Sequence, residues 1–175
     1  SGGLRYHFPL AYAQMHQTMH AIYERDDELE PNFPGVSVHP LCTVNMGPHT
    51  ATVDHLDKMN YPGCPCAITA LGDFDPDQGG HLYFRSPPGS TVILCSAALR
   101  HGNTAVDPQG KERHSFTQFT AGGLVRYKQV GFRLVKNVPV SQRGTTGQER
   151  QSQLARIPTP QSLSADRAEM FTQLS

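Results

Sequence analysis

The chain has 175 residues and a mass of 19.2 kDa, with 37% hydrophobic and 17% charged residues and with 16 Gly and 14 Pro. That length suits one domain with at most an appendage, and that composition excludes a coiled coil or a charged disordered chain and favours a turn-rich, mostly β fold. Net charge is zero, yet residues 1–84 carry three Lys/Arg against ten Asp/Glu and residues 85–150 carry ten against three. Such a polarity serves either to hold two halves together or to give an acidic ligand one basic face.

No apolar stretch approaches the ~20 residues of a membrane span, and the start of the chain lacks a basic-then-apolar secretory pattern. An intracellular protein without membrane partners is expected, the nucleus being one candidate location. Ser1-Gly2-Gly3 reads as an added or cut end. Cys42, Cys64, Cys66 and Cys95 sit in apolar surroundings and read as reduced, buried thiols. Cys64-Pro65-Cys66 lacks both the spacing and the second pair of a structural zinc site.

From Pro9 to about Arg25 the apolar residues Tyr12, Met15, Met19, Ile22 and Tyr23 recur three or four apart, with Pro9 suited to a first turn, so one amphipathic helix is predicted. His16 and His20 share a face of it but lack the Glu and third ligand of a metalloprotease motif. An acidic run, Glu24 to Glu30, and then Pro31, Pro34 and Gly35 end the helix in a loop. Residues 1–35 are therefore expected to pack as a helix and acidic loop on a core spanning 36–138.

Within that core come short β-rich runs: LCTVNMG, TATVDHLD, CAITALGDF, GHLYF, STVILCSA, RHSFTQF and GGLVRY. Gly- and Pro-rich turns separate them, a pattern of sandwiches and barrels. Residues 139–161 are polar with little to bury and read as a flexible loop. Ser164 is suited to cap a last helix whose Ala168, Met170, Phe171 and Leu174 would dock back on the sheet.

The residues that suggest chemistry are His55 and Asp57 in VDHLD, His101 in ALRH, and Arg113 and Ser115 in RHS. Side chains two apart on a strand share a face, so an imidazole and a carboxylate at this spacing can grip one ion, with a third ligand arriving from another strand. Two His and one carboxylate are the facial triad of non-haem Fe(II) oxygenases, which leaves positions open for a cosubstrate and dioxygen. Arg113 lies twelve residues past His101, room for a turn and an antiparallel strand. Its fork suits the distal carboxylate of 2-oxoglutarate, with the Ser115 hydroxyl on the same face. The competing reading of Arg113 is an internal ion pair with the acidic N-terminal half.

Taken together, His-x-Asp, the Gly79-Gly80-His81-Leu82 hairpin, the Pro88-Gly89 turn, and then His101 and Arg113 follow the order found in Fe(II)/2-oxoglutarate dioxygenases of the double-stranded β-helix (jelly-roll, cupin-like) fold. The blocks TVNMGPHT, CAITALGDFDPDQGGHL, PPGSTVILCSAALRHGNT and RHSFTQFTAGGLVRY resemble the TET/JBP-like oxygenases of mushroom-forming fungi, often found beside transposons. The resemblance runs from about Cys42 to Phe132.

It implies a mainly β, double-stranded β-helix core with flanking helices and Fe(II) ligands His55, Asp57 and His101. It also implies that Arg113 and Ser115 hold 2-oxoglutarate, that O2 is the oxidant, and that the Asn45 amide lies near the cosubstrate. Asn45 keeps a second reading, as a residue closing the turn before Gly47-Pro48. The implied substrate is a nucleic acid carrying a 5-methylpyrimidine, 5-methylcytosine foremost, flipped from its stack and hydroxylated on the methyl group.

Arg126, Lys128, Arg133 and Lys136 form a basic stretch that fits phosphates or plain solvation equally well. Arg100 should point away from His101, and His81 and His114 away from the pocket. Two departures stand out: only Tyr83, Phe84, Arg85 and Ser86 separate the Gly-Gly hairpin from Pro87, and the chain has no Trp. They keep open two alternatives, the same chemistry on a protein or small molecule and a degenerate barrel acting as a binding module.

Overall fold

The computed structural model describes residues 2–48, 50–82, 86–106 and 111–142. The chain opens with two helices, α1 (Gly2–His7) and α2 (Pro9–Tyr23). Pro9 stands in the first turn of α2, where its missing N–H costs nothing. The helix stops two residues before the predicted Arg25, and the Glu24 N–H donates to His20 O at 2.9 Å. Met15, Met19 and Ile22 from its predicted stripe are buried with Leu4 of α1. Full burial of each such side chain stabilises the fold by roughly 1.5–3 kcal/mol. Gly3 is no loose end, since a Cβ there would come within 3.1 Å of Ile93 Cδ1.

The strands are β1 (Leu41–Asn45), β2 (Thr52–His55), β3 (Cys66–Asp73), β4 (Thr91–Leu94), β5 (His101–Asn103) and β6 (Glu112–Phe119). They form a four-stranded antiparallel sheet, β1-β6-β3-β4, and a two-stranded antiparallel sheet, β2-β5. An isolated bridge from Leu82 to Asn103 adds a third segment beside β5. In the larger sheet Asn45 and Ala70 flank Ser115, and Val44 and Thr69 flank Phe116. Period-two alternation turns Arg113, Ser115, Thr117 and Phe119 of β6 to one face, with Phe116 on the other against the Phe33 ring.

The segment GGLVRY is not the strand its composition suggests. It begins helix α3 (Gly122–Gln129), where Val125 is buried and Leu124 half-buried against the α1–α2 core. Six residues carry too few apolar positions to separate the two periods, and packing against α2 decides the outcome. Among the described residues three α-helices stand beside six strands, so the fold there is mixed rather than mainly β, and neither sheet closes or curls into a jelly roll. What stands is a pair of antiparallel sheets with flanking helices. Two short 3-10 turns follow, Val135–Asn137 and Val140–Gln142, and the helix expected after Ser164 lies outside the described residues. No helix among the described residues is long and apolar enough to cross a membrane.

Two glycines bring the 79–82 segment close to its neighbours. Gly79 has φ 140° and a Cβ there would meet Ala105 O at 2.3 Å, while Gly80 has φ 70° and donates its N–H to Ala105 O at 3.1 Å. Only glycine adopts the first conformation without strain.

Candidate metal centre

His55 ends β2 and His101 begins β5, and the two are direct cross-strand partners with ring centroids 4.3 Å apart. Asp57 lies beyond the end of β2, in the turn that follows, rather than in the strand. Its N–H donates to Ser96 O at 3.0 Å, which returns its carboxylate to the imidazoles. Asp57 Oδ1 sits 3.3 Å from His55 Nε2, and Oδ2 sits 3.5 Å from His101 Nε2. Among the described residues, this is the one group of three His, Cys or acidic side chains whose ligand atoms all fall within 4.8 Å of one another.

Each imidazole is oriented by its own strand. His55 Nδ1 donates to Val53 O at 2.9 Å and His101 Nδ1 to Leu99 O at 3.1 Å. A carbonyl only accepts, so each Nδ1 carries a proton and each ring turns its Nε2 toward Asp57. Two Nε2 atoms and a carboxylate thus converge on one point, where a cation can replace the proton that His101 shares with Asp57 in its absence. The donor set of two imidazoles and one carboxylate suits Fe(II) and similar divalent ions. In the metal-free molecule, hydrogen bonding to His101 holds Asp57 below the usual carboxylate range, against burial, with Ser96 adding to the effect. Asp57 in turn raises the His101 pKa above its ordinary value.

The triad opens on a cavity of about 300 Å3 between the two sheets. The His55 side chain is 36% exposed and that of His101 11%, so solvent approaches from the His55 side. Arg113, Ser115 and Asn45 line the same cavity. Asn45 closes β1 opposite Ser115 and donates from Nδ2 to Ser115 Oγ at 2.8 Å, a strand position and not the turn of its second reading.

Arg113 is 1% exposed. Its Nε donates to Gly80 O, its Nη1 is buried without a hydrogen-bond partner, and it makes no ion pair among the described residues. The reading of Arg113 as paired with the acidic N-terminal half is therefore overturned. Burial lowers its pKa, as expected of a guanidinium without a carboxylate.

Other expectations sort plainly. Arg100 pairs with Asp54 through Nε and donates from Nη2 to Asp54 O at 3.0 Å, outside the cavity. His81 and His114 are not among the cavity-lining residues, nor are Arg126, Lys128, Arg133 or Lys136. His49 lies outside the described residues. The four cysteines are free; burial pushes the Cys64 thiol up to about 12 and the Cys66 thiol up to about 11, so both stay protonated.

Sequence reasoning missed Asn60 and Ser96. Asn60 lines the cavity and its amide donates to Asp57 Oδ2 and to Ser96 Oγ, both at 3.1 Å. The one available signal was its position three residues after Asp57, where its N–H closes a turn on Asp57 O at 2.9 Å. Neither a scan against protein-family models nor a search of the curated proteins returned a match to the chain.

Proposed function

We propose that the chain is an Fe(II)/2-oxoglutarate-dependent oxygenase with a double-stranded β-helix type of core, in which His55, Asp57 and His101 hold the metal. The observation that carries this reading is the convergence of two Nε2 atoms and the Asp57 carboxylate within 4.8 Å, with both Nδ1 atoms already committed to carbonyls. Support for an anionic cosubstrate comes from the other end of the same cavity. There the buried, unpartnered Nη1 of Arg113 would bind a carboxylate through a charge-assisted hydrogen bond, beside the Ser115 hydroxyl and the Asn45 amide.

When bound, iron with O2 and 2-oxoglutarate supplies a coupled reaction: the cosubstrate leaves as succinate and CO2, and the second oxygen atom enters a substrate C–H bond as hydroxyl. The chain's own part is orientation. Val53 O and Leu99 O orient the imidazoles with Nε2 toward the ion, Arg113 orders the cosubstrate by charge, and the partly buried cavity limits access of water.

The substrate reading rests on the sequence blocks that resemble TET/JBP-like oxygenases, namely the methyl group of 5-methylcytosine or another 5-methylpyrimidine in nucleic acid. Two experiments test these layers separately. Anaerobic titration with Fe(II) and 2-oxoglutarate should develop a visible charge-transfer band that His101→Ala abolishes; a folded protein that takes up neither overturns the oxygenase reading. Incubation with methylated DNA should yield hydroxymethylcytosine. Unchanged DNA together with succinate formation on a peptide or small molecule would overturn the nucleic-acid substrate alone.

A further inference from the structure

Of the three candidate ligands, the carboxylate is the one its own strand does not orient, because Asp57 lies beyond β2 and can turn about its Cβ–Cγ bond. Asn60 supplies the missing restraint. Its amide donates to Asp57 Oδ2 at 3.1 Å and to Ser96 Oγ at 3.1 Å, and lies 3.4 Å from Cys66 Sγ. An amide nitrogen has two hydrogens, so three acceptors at this range saturate it.

The group is fixed at its base as well. Asn60 bridges to Ala121, the flanking Tyr61 N–H donates to Thr120 O at 2.7 Å, and Met59 O accepts from Gly122 N–H at 2.8 Å. Ser96 is 1% exposed and holds the far side of the network through its contact with Cys66 Sγ at 2.9 Å and through its carbonyl, which accepts the Asp57 N–H at 3.0 Å.

We infer that Asn60 is a positioning residue for the metal centre: by occupying Oδ2 of Asp57 it fixes the carboxylate plane and leaves Oδ1, which it does not touch, as the oxygen free to bind the ion. The inference rests on the metal-binding reading of the triad and adds to it a residue outside the triad. Outer partners of ligating groups commonly change metal affinity by about 10–100-fold when removed.

The test is cobalt(II) titration of the full-length protein, followed by visible absorption, with wild type, Asn60→Leu and Ser96→Ala compared and the thermal melting of each metal-free protein measured alongside. Asn60→Leu keeps the side-chain volume and removes both donors. It should weaken cobalt binding by about 10–100-fold and alter the visible bands while the metal-free melting temperature changes little. Ser96→Ala leaves the Asn60–Asp57 hydrogen bond in place but unsupported, and should give a smaller loss in the same direction; it carries the test alone if Asn60→Leu does not fold. Wild-type uptake of cobalt with affinity and spectrum unchanged in the variants overturns the inference and leaves the metal reading standing. Absence of uptake by folded wild type overturns both.

Discussion

His55 and His101 face each other across the β2–β5 ladder as register partners, their rings 4.3 Å apart, while 46 sequence positions separate them. Two short strands thus assemble the candidate chelate, since pairing their backbones is what brings the nitrogens together. Removal of either ring should abolish the site without unmaking the ladder, because backbone hydrogen bonds hold the pairing.

For His101→Ala and Asp57→Ala the expected outcome is at least a ~100-fold loss of divalent metal affinity, at or beyond the upper end of what outer partners contribute. Anaerobic calorimetric titration with Fe(II) or cobalt(II) checks it. Retention of wild-type affinity in either variant would show that the ion, if any, is held elsewhere.

Arg113→Met should separate the anion from the metal. A hydrogen bond to a charged group contributes about 1.5–3 kcal/mol, so 2-oxoglutarate affinity should fall roughly 10- to 150-fold. Cobalt uptake should stay within about threefold of wild type, because Arg113 makes no contact with the triad; calorimetry with each ligand in turn reads the two quantities. A parallel loss of both affinities would contradict the division of the cavity into two ends.

Acid sensitivity should report His39. His39 is 4% exposed, and burial lowers its pKa below the ordinary 6.5 although its Nε2, donating to Pro65 O at 2.9 Å, works in the other direction. Above pH 6.5 folded and unfolded chains both carry it neutral and its contribution is intact. Below that value the unfolded chain binds a proton that the folded chain refuses, and stability falls with pH at a slope of up to about 1.4 kcal/mol per pH unit until the folded pKa is reached. His101, with its raised pKa, acts in the opposite sense, so the readout is a difference. Urea unfolding between pH 5 and 8 should show that wild type loses more stability on acidification than His39→Gln. Equal slopes would contradict a buried neutral ring.

Met15, with no exposed surface, anchors α2 against Leu4, Tyr61 and Val125. Met15→Ala should cost about 2–5 kcal/mol, the range for opening a cavity of this size in a packed core. Denaturant unfolding measures it. A loss below about 1 kcal/mol would mean that the helical layer closes over the gap.

The triad was legible because its parts are local: two residues at strand spacing, and a third directly after an apolar run. Asn60 and Ser96 were not: an Asn three residues after an Asp is an ordinary turn pattern, and the contact that ties Asn60 to Ser96 joins positions 36 residues apart, which no spacing rule encodes. Strand β5 is His-Gly-Asn, residues with poor β propensity, and it pairs only because β2 lies beside it. The GGLVRY error has the same origin, a short segment whose state is chosen by the helix it meets. Arg113 was legible as a residue of the same cavity, but its lack of a carboxylate partner depends on where the acidic residues of the first half lie in space.

Because Val53 and Leu99 present main-chain oxygens to the two rings, the orientation of both histidines is written into the backbone and does not depend on a neighbouring side chain. The carboxylate enjoys no such immunity, being steered by an amide and a hydroxyl that any mutation can replace. Engineering that aims to retune this centre, toward another ion or a different coordination habit, should therefore work on the acid's surroundings and leave the imidazoles alone.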